Sequence, residues 1–371
     1  MDFICSTEEL KIAVIKTAKV INKTTVLPIL ERILIQTEDT NLKLRGTDLG
    51  STNDTIIEAN VREHGATTIV AKTLLEILNT VSNEDIRIIS NDDEQELIIK
   101  AGKTEFKILN SLQADSYPDI DTVDRKNYIT IDRELFVKGI DLTEFSTSDD
   151  DISKQFLTGI NVQTTEDNML KFVSTDSHRL SVFKCPIISK TMDINVIIPS
   201  QSAKIMAELA SVPGEPINLY ITRNTISTSV DSSDYYGRLI ESNYPDVTRV
   251  IPTEFNTELE VNRHEFLGAL NRMTVAAKEN AFRATLSLED NKLVLGAETK
   301  EHNITVTEEI DVVINGGSFN KMGINVKYIL EALKVMNTDI VEIKVVSNDK
   351  AFMIKMKDDE NFIHIVMPAR I

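Results

Sequence analysis

Asn243-Tyr244-Pro245-Asp246-Val247-Thr248-Arg249-Val250-Ile251-Pro252 repeats, a little over a third of the chain later, the stretch Ser116-Tyr117-Pro118-Asp119-Ile120. Each copy lies between a run of alternating apolar residues and a fresh helical pattern. Proline lacks an amide donor and pushes its predecessor toward extended geometry, so both stretches read as linkers. A recurring linker implies recurring domains, and cutting at the two linkers gives three copies of one element order. The copies open with helix starts at Ser6-Thr7-Glu8-Glu9-Leu10, Ile131-Asp132-Arg133-Glu134-Leu135 and Asn262-Arg263-His264-Glu265-Phe266, which pair cap formers with acid in the first turn. Strand-like runs follow at 41–46, 169–174 and 292–296, then second helices at 71–79, 199–210 and 325–336, then further alternating runs such as 85–89 with 96–101 and 340–346 with 351–356. The expected domains are 1–124, 125–250 and 251–371.

The 371 residues allow two or three domains at about 100 to 200 residues each, and the repeats select three. No window approaches a membrane span of about 18 apolar residues, and Met1-Asp2-Phe3 lacks the basic start of a signal peptide. A cytoplasmic protein without membrane contact is expected. Cys5 and Cys185 fall in different repeats, away from any histidine cluster, so neither a disulfide framework nor a zinc site is expected.

With 40 basic against 58 acidic residues the net charge is -18, yet binding depends on where charges lie. On the first helix Leu10, Ala13, Val14, Thr17, Ala18 and Ile21 share one face, and Lys11, Lys16, Lys19 and Lys23 fall opposite, within an arc of about 140°. Lys327 with Lys334, and Lys72, repeat this more weakly on later helices. On the residues alone such a stripe either solvates a surface or faces phosphates.

Thr175-Asp176-Ser177-His178-Arg179 sets acid, hydroxyl, imidazole and guanidinium in one row. Adjacent residues make a poor triad, whose members must converge from separate segments. HExxH, Walker and GxGxxG patterns are absent, so no catalytic residue, metal or cofactor is expected. The lack of tryptophan argues against stacking platforms for single strands. A hydrolase using His178 and an acidic three-domain scaffold that binds peptides are the competing readings.

Val173-Ser174-Thr175-Asp176-Ser177-His178-Arg179-Leu180-Ser181-Val182, Thr47-Asp48-Leu49, Leu27-Pro28-Ile29-Leu30, Tyr244-Pro245-Asp246 with Arg249-Val250-Ile251-Pro252, and the ending Val366-Met367-Pro368-Ala369-Arg370-Ile371 resemble the bacterial sliding clamps, the beta subunits of DNA polymerase III, in register over the whole chain. The resemblance implies an α+β fold of three repeated clamp-type domains, each with helices on one face of antiparallel sheets, forming a head-to-tail dimeric ring. It implies a non-catalytic processivity factor that encircles double-stranded DNA. The implied partners are the replicative polymerase catalytic subunit, the clamp loader, and other polymerases and repair proteins carrying clamp-binding peptides.

By position, the resemblance implies a peptide groove between the second and third domains. Its lining would be Leu157, Thr175, Ser177, His178, Arg179, Leu180, Pro245, Arg249, Val250, Val366, Met367, Pro368, Ala369 and Arg370. Implied duplex contacts are Lys11, Lys16, Lys19, Lys23, Lys72, Lys154, Phe282, Arg283, Asn325 and Tyr328. The subunit junction would set Phe106 and Ile108 against the small Ala276 and Ala277. Ser177 stands where the family usually has glycine, Ala369 where a methionine is frequent, and Thr24 and Ser200-Gln201 where basic residues are usual.

Overall fold

In the computed structural model the described residues are 1–21, 25–82, 84–91, 95–109, 112, 114–119, 124–149, 153–299, 301 and 303–370. Among them six α-helices form: α1 (Thr7–Ala18), α2 (Ala71–Thr80), α3 (Arg133–Asp141), α4 (Ser200–Leu209), α5 (Arg263–Ala277) and α6 (Val326–Val335). They fall two to each repeat, and α2, α4 and α6 match the expected 71–79, 199–210 and 325–336 to within a residue at each end. Caps explain the starts. Ser6 Oγ accepts from Glu9 N, Asn262 Oδ1 from His264 N and Glu265 N, and Asn325 Oδ1 from Lys327 N.

The chain divides into two compact units, one made of Met1–Arg133, Ile188–Met192 and Ile205–Leu239, the other of Glu134–Ile187, Asp193–Lys204 and Ile240–Ile371. In the first unit a five-stranded sheet runs in the order Asn60–Glu63, Asp2–Ser6, Asp85–Asn91, Glu96–Ala101, Thr104–Leu109. A second antiparallel sheet joins Arg32–Glu38, Asn41–Thr47 and Ser51–Glu58 to Ser233–Arg238 and its neighbours, with Thr55 opposite Ser233 and Ser51 opposite Gly237. Leu10, Ala13 and Val14 of α1 and Leu74 and Leu78 of α2 are buried against Phe3, Ile33, Ile35, Leu42, Ile86 and Ile99. Alternation along these strands places the apolar set on the helix side.

The second unit repeats the device. Arg179–Lys190 pairs with Met169–Thr175 on one side and with the last strand, Phe362–Val366, on the other, Arg179 opposite Val366 and Phe183 opposite Phe362. The sheet continues through Phe352–Met356, Ile340–Val345 and Thr257–Asn262 to Ile304–Ile314. Each unit therefore carries one sheet that runs across a linker. This explains why compactness cuts through the middle repeat instead of at the linkers.

Candidate functional site

The groove is built on a turn that occurs twice. After Met169–Thr175, Asp176 Oδ1 accepts from His178 N and Arg179 N, while Thr175 Oγ1 accepts from Ser177 N and donates to Arg179 O at 2.5 Å. Thr47 and Asp48 make the same set with Leu49 N, Gly50 N, Ser51 N and Ser51 O. Both turns need a left-handed residue, Ser177 at φ +77° and Leu49 at φ +72°. A left-handed position of this kind is one where glycine carries no steric cost.

The tyrosine of each linker sits by its turn. Tyr117 donates to Arg32 O and Arg45 O at 3.2 and 3.1 Å. Tyr244 lies near the Thr175 backbone, but its buried hydroxyl meets no partner within hydrogen-bond geometry. Burial raises the pKa of both phenols. Tyr244 also meets Phe156 edge to face, at 6.1 Å between ring centres and 79° between planes.

Against this turn opens a cavity of about 250 Å³. Leu157, Thr175, Ser177, Arg179, Leu180, Pro245, Val250 and Met367 line it as expected. So do Lys154, Phe156, Asp246, Val247 and Ile365, which the sequence reading did not place there. Beneath it Val173, Leu180, Val182, Val247, Met353 and Ile365 form a buried apolar cluster. The walls suit short apolar side chains; Val250 and Met367 stay about half exposed, at 52% and 46%. The Thr248 hydroxyl and amide hydrogen-bond the Asp246 carboxylate and lower its pKa, keeping a negative charge at the rim.

Several expected lining residues lie elsewhere. Val366 is fully buried between strands, and Arg249 is exposed away from the lining. His178 is exposed and stacks on Tyr328, centroids 6.3 Å apart, while its carbonyl accepts from Met367 N at 2.9 Å. Arg179 reaches the cavity but is only 7% exposed. Its guanidinium pairs with Asp176 at 3.0 Å and with Glu331, and lies over the Tyr328 and Phe145 rings. It braces the wall more than it offers a free charge. Beyond Met367 the tail leaves the lining: Pro368 is not part of it, Ala369 N donates to Gly323 O at 2.9 Å, and Arg370 lines a different cleft.

The cationic face is shorter than expected. Helix α1 ends at Ala18, so Lys19 is its C-cap and pairs with Glu208; Lys23 and Thr24 lie outside the described residues. Lys11 and Lys16 remain on the helix, beside the half-exposed Ile12 and Ile15. Lys72 is exposed, 3.9 Å from Glu76. Lys154 and Tyr328 belong to the groove and its brace, and Asn325 is the α6 cap. Phe282 is left-handed at φ +59°, and its carbonyl accepts from Val326 N. Arg283 lines the same cleft as Arg370.

At the expected junction Phe106 and Ile108 are half-buried on the edge strand Thr104–Leu109, beside the exposed Leu109. Ala276 and Ala277 are fully buried in their own unit and offer no surface to a second copy. The exposed apolar residue there is Val275, at 63%. It stands one turn beyond Arg272, whose guanidinium pairs with Glu308 on Ile304–Ile314. Among the described residues the 304–309 half of that strand pairs on one side only.

Among the described residues no group of His, Cys, Asp and Glu is arranged to hold a metal, and no helix is long and apolar enough to cross a membrane. Cys5 and Cys185 are buried and in no disulfide, and burial pushes the Cys5 thiol up to about 12.

Repeated helix pairs on antiparallel sheets, with an apolar groove where the chain's own tail meets a linker, define a clamp-type protein of three domains. Comparison with known proteins gives the same class. The chain matches the N-terminal, central and C-terminal domains of the DNA polymerase III beta subunit over residues 1–121, 130–246 and 248–370. A beta sliding clamp from Staphylococcus aureus is 30% identical over 364 residues, covering 95% of each chain. The sliding clamp from Bacillus subtilis superposes with a TM-score of 0.92 at 27% identity, over 100% of this chain and 99% of that one. A sliding clamp from Pseudomonas aeruginosa bound to griselimycin superposes with a TM-score of 0.92 at 25% identity, over the full length of both. The chain belongs to the DNA polymerase III beta subunit family, the bacterial sliding clamps, which are non-catalytic processivity factors of DNA replication.

Proposed function

We propose that two copies of this chain close head to tail into a ring around duplex DNA in the cytoplasm. The groove then tethers the replicative polymerase, the clamp loader and other polymerases and repair proteins through short peptides with apolar anchors. The observation that carries the peptide reading is the apolar cavity of about 250 Å³ whose wall is the chain's own Met367. A flexible, polarizable methionine adapts to different anchors, and the P. aeruginosa relative bound to griselimycin supports a ligand site on this fold.

Ring closure is supported by two unpaired edges, Thr104–Leu109 and the 304–309 half of Ile304–Ile314. Joining them would satisfy open backbone groups on both. Val275, Phe106 and Ile108 are then the proposed apolar contacts. Lys11, Lys16 and Lys72 are the proposed duplex contacts, weak enough to permit sliding because topology does the holding. The proposed domains remain 1–124, 125–250 and 251–371. The first boundary falls between two of the family matches and the second just inside the third.

Peptide titration tests the groove. Met367→Ala should weaken a leucine- or phenylalanine-bearing peptide by roughly 1 kcal/mol of lost apolar cover, about fivefold in affinity, with melting unchanged. An unaltered dissociation constant would place the partner site elsewhere. For the ring, protein loaded on nicked circular duplex should be released when the circle is linearised; retention after linearisation would overturn encirclement.

A further inference from the structure

The second cleft described above, about 350 Å³, opens between Arg283–Glu289, Lys292–Thr299 and Ile304–Ile314 and is lined by Arg283, Lys321 and Arg370. These three cations line one cleft, although the chain as a whole carries a net charge of -18, and among the described residues none of them enters an ion pair. The hydroxyl-bearing Thr305 and Thr307 add polar lining, and Glu298 is the one carboxylate among the described lining residues. Three cations grouped in a concave site of an acidic protein lower the cost of bringing in carboxylates.

The tail connects this cleft to the groove. Met367 walls the apolar cavity and Arg370 the basic cleft, with Ala369 pinned to Gly323 between them. Three extended residues reach about 10 Å, the span of a short flank on a bound peptide. We infer that the Arg283–Lys321–Arg370 cleft is an acidic-residue subsite for the peptide in the groove: apolar anchors fill the first cavity, and aspartates or glutamates beside them enter the second. This rests on the groove reading of the proposed function. A peptide is favoured over nucleic acid because the cleft and groove share one wall element, and because Glu298 disfavours the denser charge of a phosphate chain more than separate carboxylates.

Lys321 lies outside the groove and outside every duplex or junction contact proposed above, so it gives the cleanest test. Three fluorescent peptides share the same apolar anchors: one has neutral flanks, one an Asp/Glu flank before the anchors, and one the flank after them. Each is titrated at low and high salt against the full-length protein and its Lys321→Glu and Lys321→Arg variants. One acidic flank should tighten binding roughly threefold to fivefold over the neutral peptide at low salt. The gain should shrink with salt, persist in Lys321→Arg and vanish in Lys321→Glu, while the neutral peptide binds all three proteins alike. Equal affinities for all three peptides, or a gain surviving Lys321→Glu, overturn the subsite and leave the groove intact. Failure of the neutral peptide to bind the wild type overturns the groove reading itself. If Lys321→Glu weakens a single-stranded oligonucleotide but leaves the flank effect unchanged, the cleft serves phosphates and the inference is wrong.

Discussion

Acid should loosen the second unit through His364. Its ring is fully buried, 5.4 Å from the Phe145 ring. Nδ1 lies 2.9 Å from Ser181 Oγ, which in turn meets Ser146 Oγ at 2.8 Å. Nε2 has no partner among the described residues. Burial first, then the positive Arg179 held by Asp176 and Glu331, pushes the His364 pKa down to about 3, with the Tyr328 backbone pulling the other way. The folded state keeps this imidazole neutral, whereas the unfolded chain protonates it near its ordinary value of about 6.5. Between those two values the unfolded state binds more protons. Stability is therefore full above about pH 6.5 and falls as pH drops toward 3.

At about 1.4 kcal/mol per pH unit across that window, the loss from pH ~7.5 to pH ~5 is about 2 kcal/mol. With no tryptophan in the chain, urea unfolding is best followed by far-ultraviolet circular dichroism at both pH values. The comparison is the wild type against His364→Asn, which keeps a polar group toward Ser181 but cannot titrate. The variant should be less stable at neutral pH because the smaller side chain leaves space. Its decline between the two pH values should be smaller than that of the wild type by about 2 kcal/mol. Equal declines in the two proteins would refute the reasoning, since they would mean that His364 takes up its proton without unfolding.

Ser177→Gly should raise the melting temperature by relieving a left-handed residue worth about 1 kcal/mol, while a fall would show that the turn bonds hold Ser177 without strain. Phe106→Asp with Ile108→Asp should give folded monomers in sedimentation, because a buried unpaired charge costs several kcal/mol; a persisting dimer would move the junction. Lys11→Glu with Lys16→Glu should shorten retention on circular duplex without altering melting, exposed charges being worth only tenths of a kcal/mol to stability. Unchanged retention at low salt would remove α1 from the duplex face.

Helices and strands were legible because their signals are local: Ser6, Asn262 and Asn325 cap, and apolar residues alternate on strands with one buried face. What failed was the direction in which a side chain points. Periodicity carried the lysine stripe to Lys23 because nothing in the spacing announces that α1 stops at Ala18. Ala276 and Ala277 matched the family by position, but one step of helix turns a side chain by about 100°, and it is Val275 that faces out. Ile365 and Val366 escaped for another reason. Phe362–Val366 is buried on both faces except at Ile363, so alternation carries no sign of which residue meets the cavity. Arg179 looked like a binding group because its partner Glu331 is remote in sequence.

The two Thr-Asp turns repeat a backbone without repeating the side chains around it. In both, the strand beyond the turn pairs with a strand from farther along the chain, whose next amide donates to the turn's backbone. Arg238 N bonds to Gly50 O, and Met367 N to His178 O, each at 2.9 Å. The positions are equivalent, but their side chains differ in kind. At the first turn the position carries the exposed, charged Arg238, and the linker tyrosine is closed off by two carbonyls. At the second it carries Met367, Tyr244 is left without a hydrogen bond, and Val247 and Val250 supply apolar wall. A charged rim keeps water at the first turn, whereas the apolar one gains by excluding it, at about 25 cal/mol per Å² covered. The two turns thus share a backbone and differ in the residue whose amide meets them, and that residue belongs to the end of the following repeat, where only the folded chain brings it to the turn.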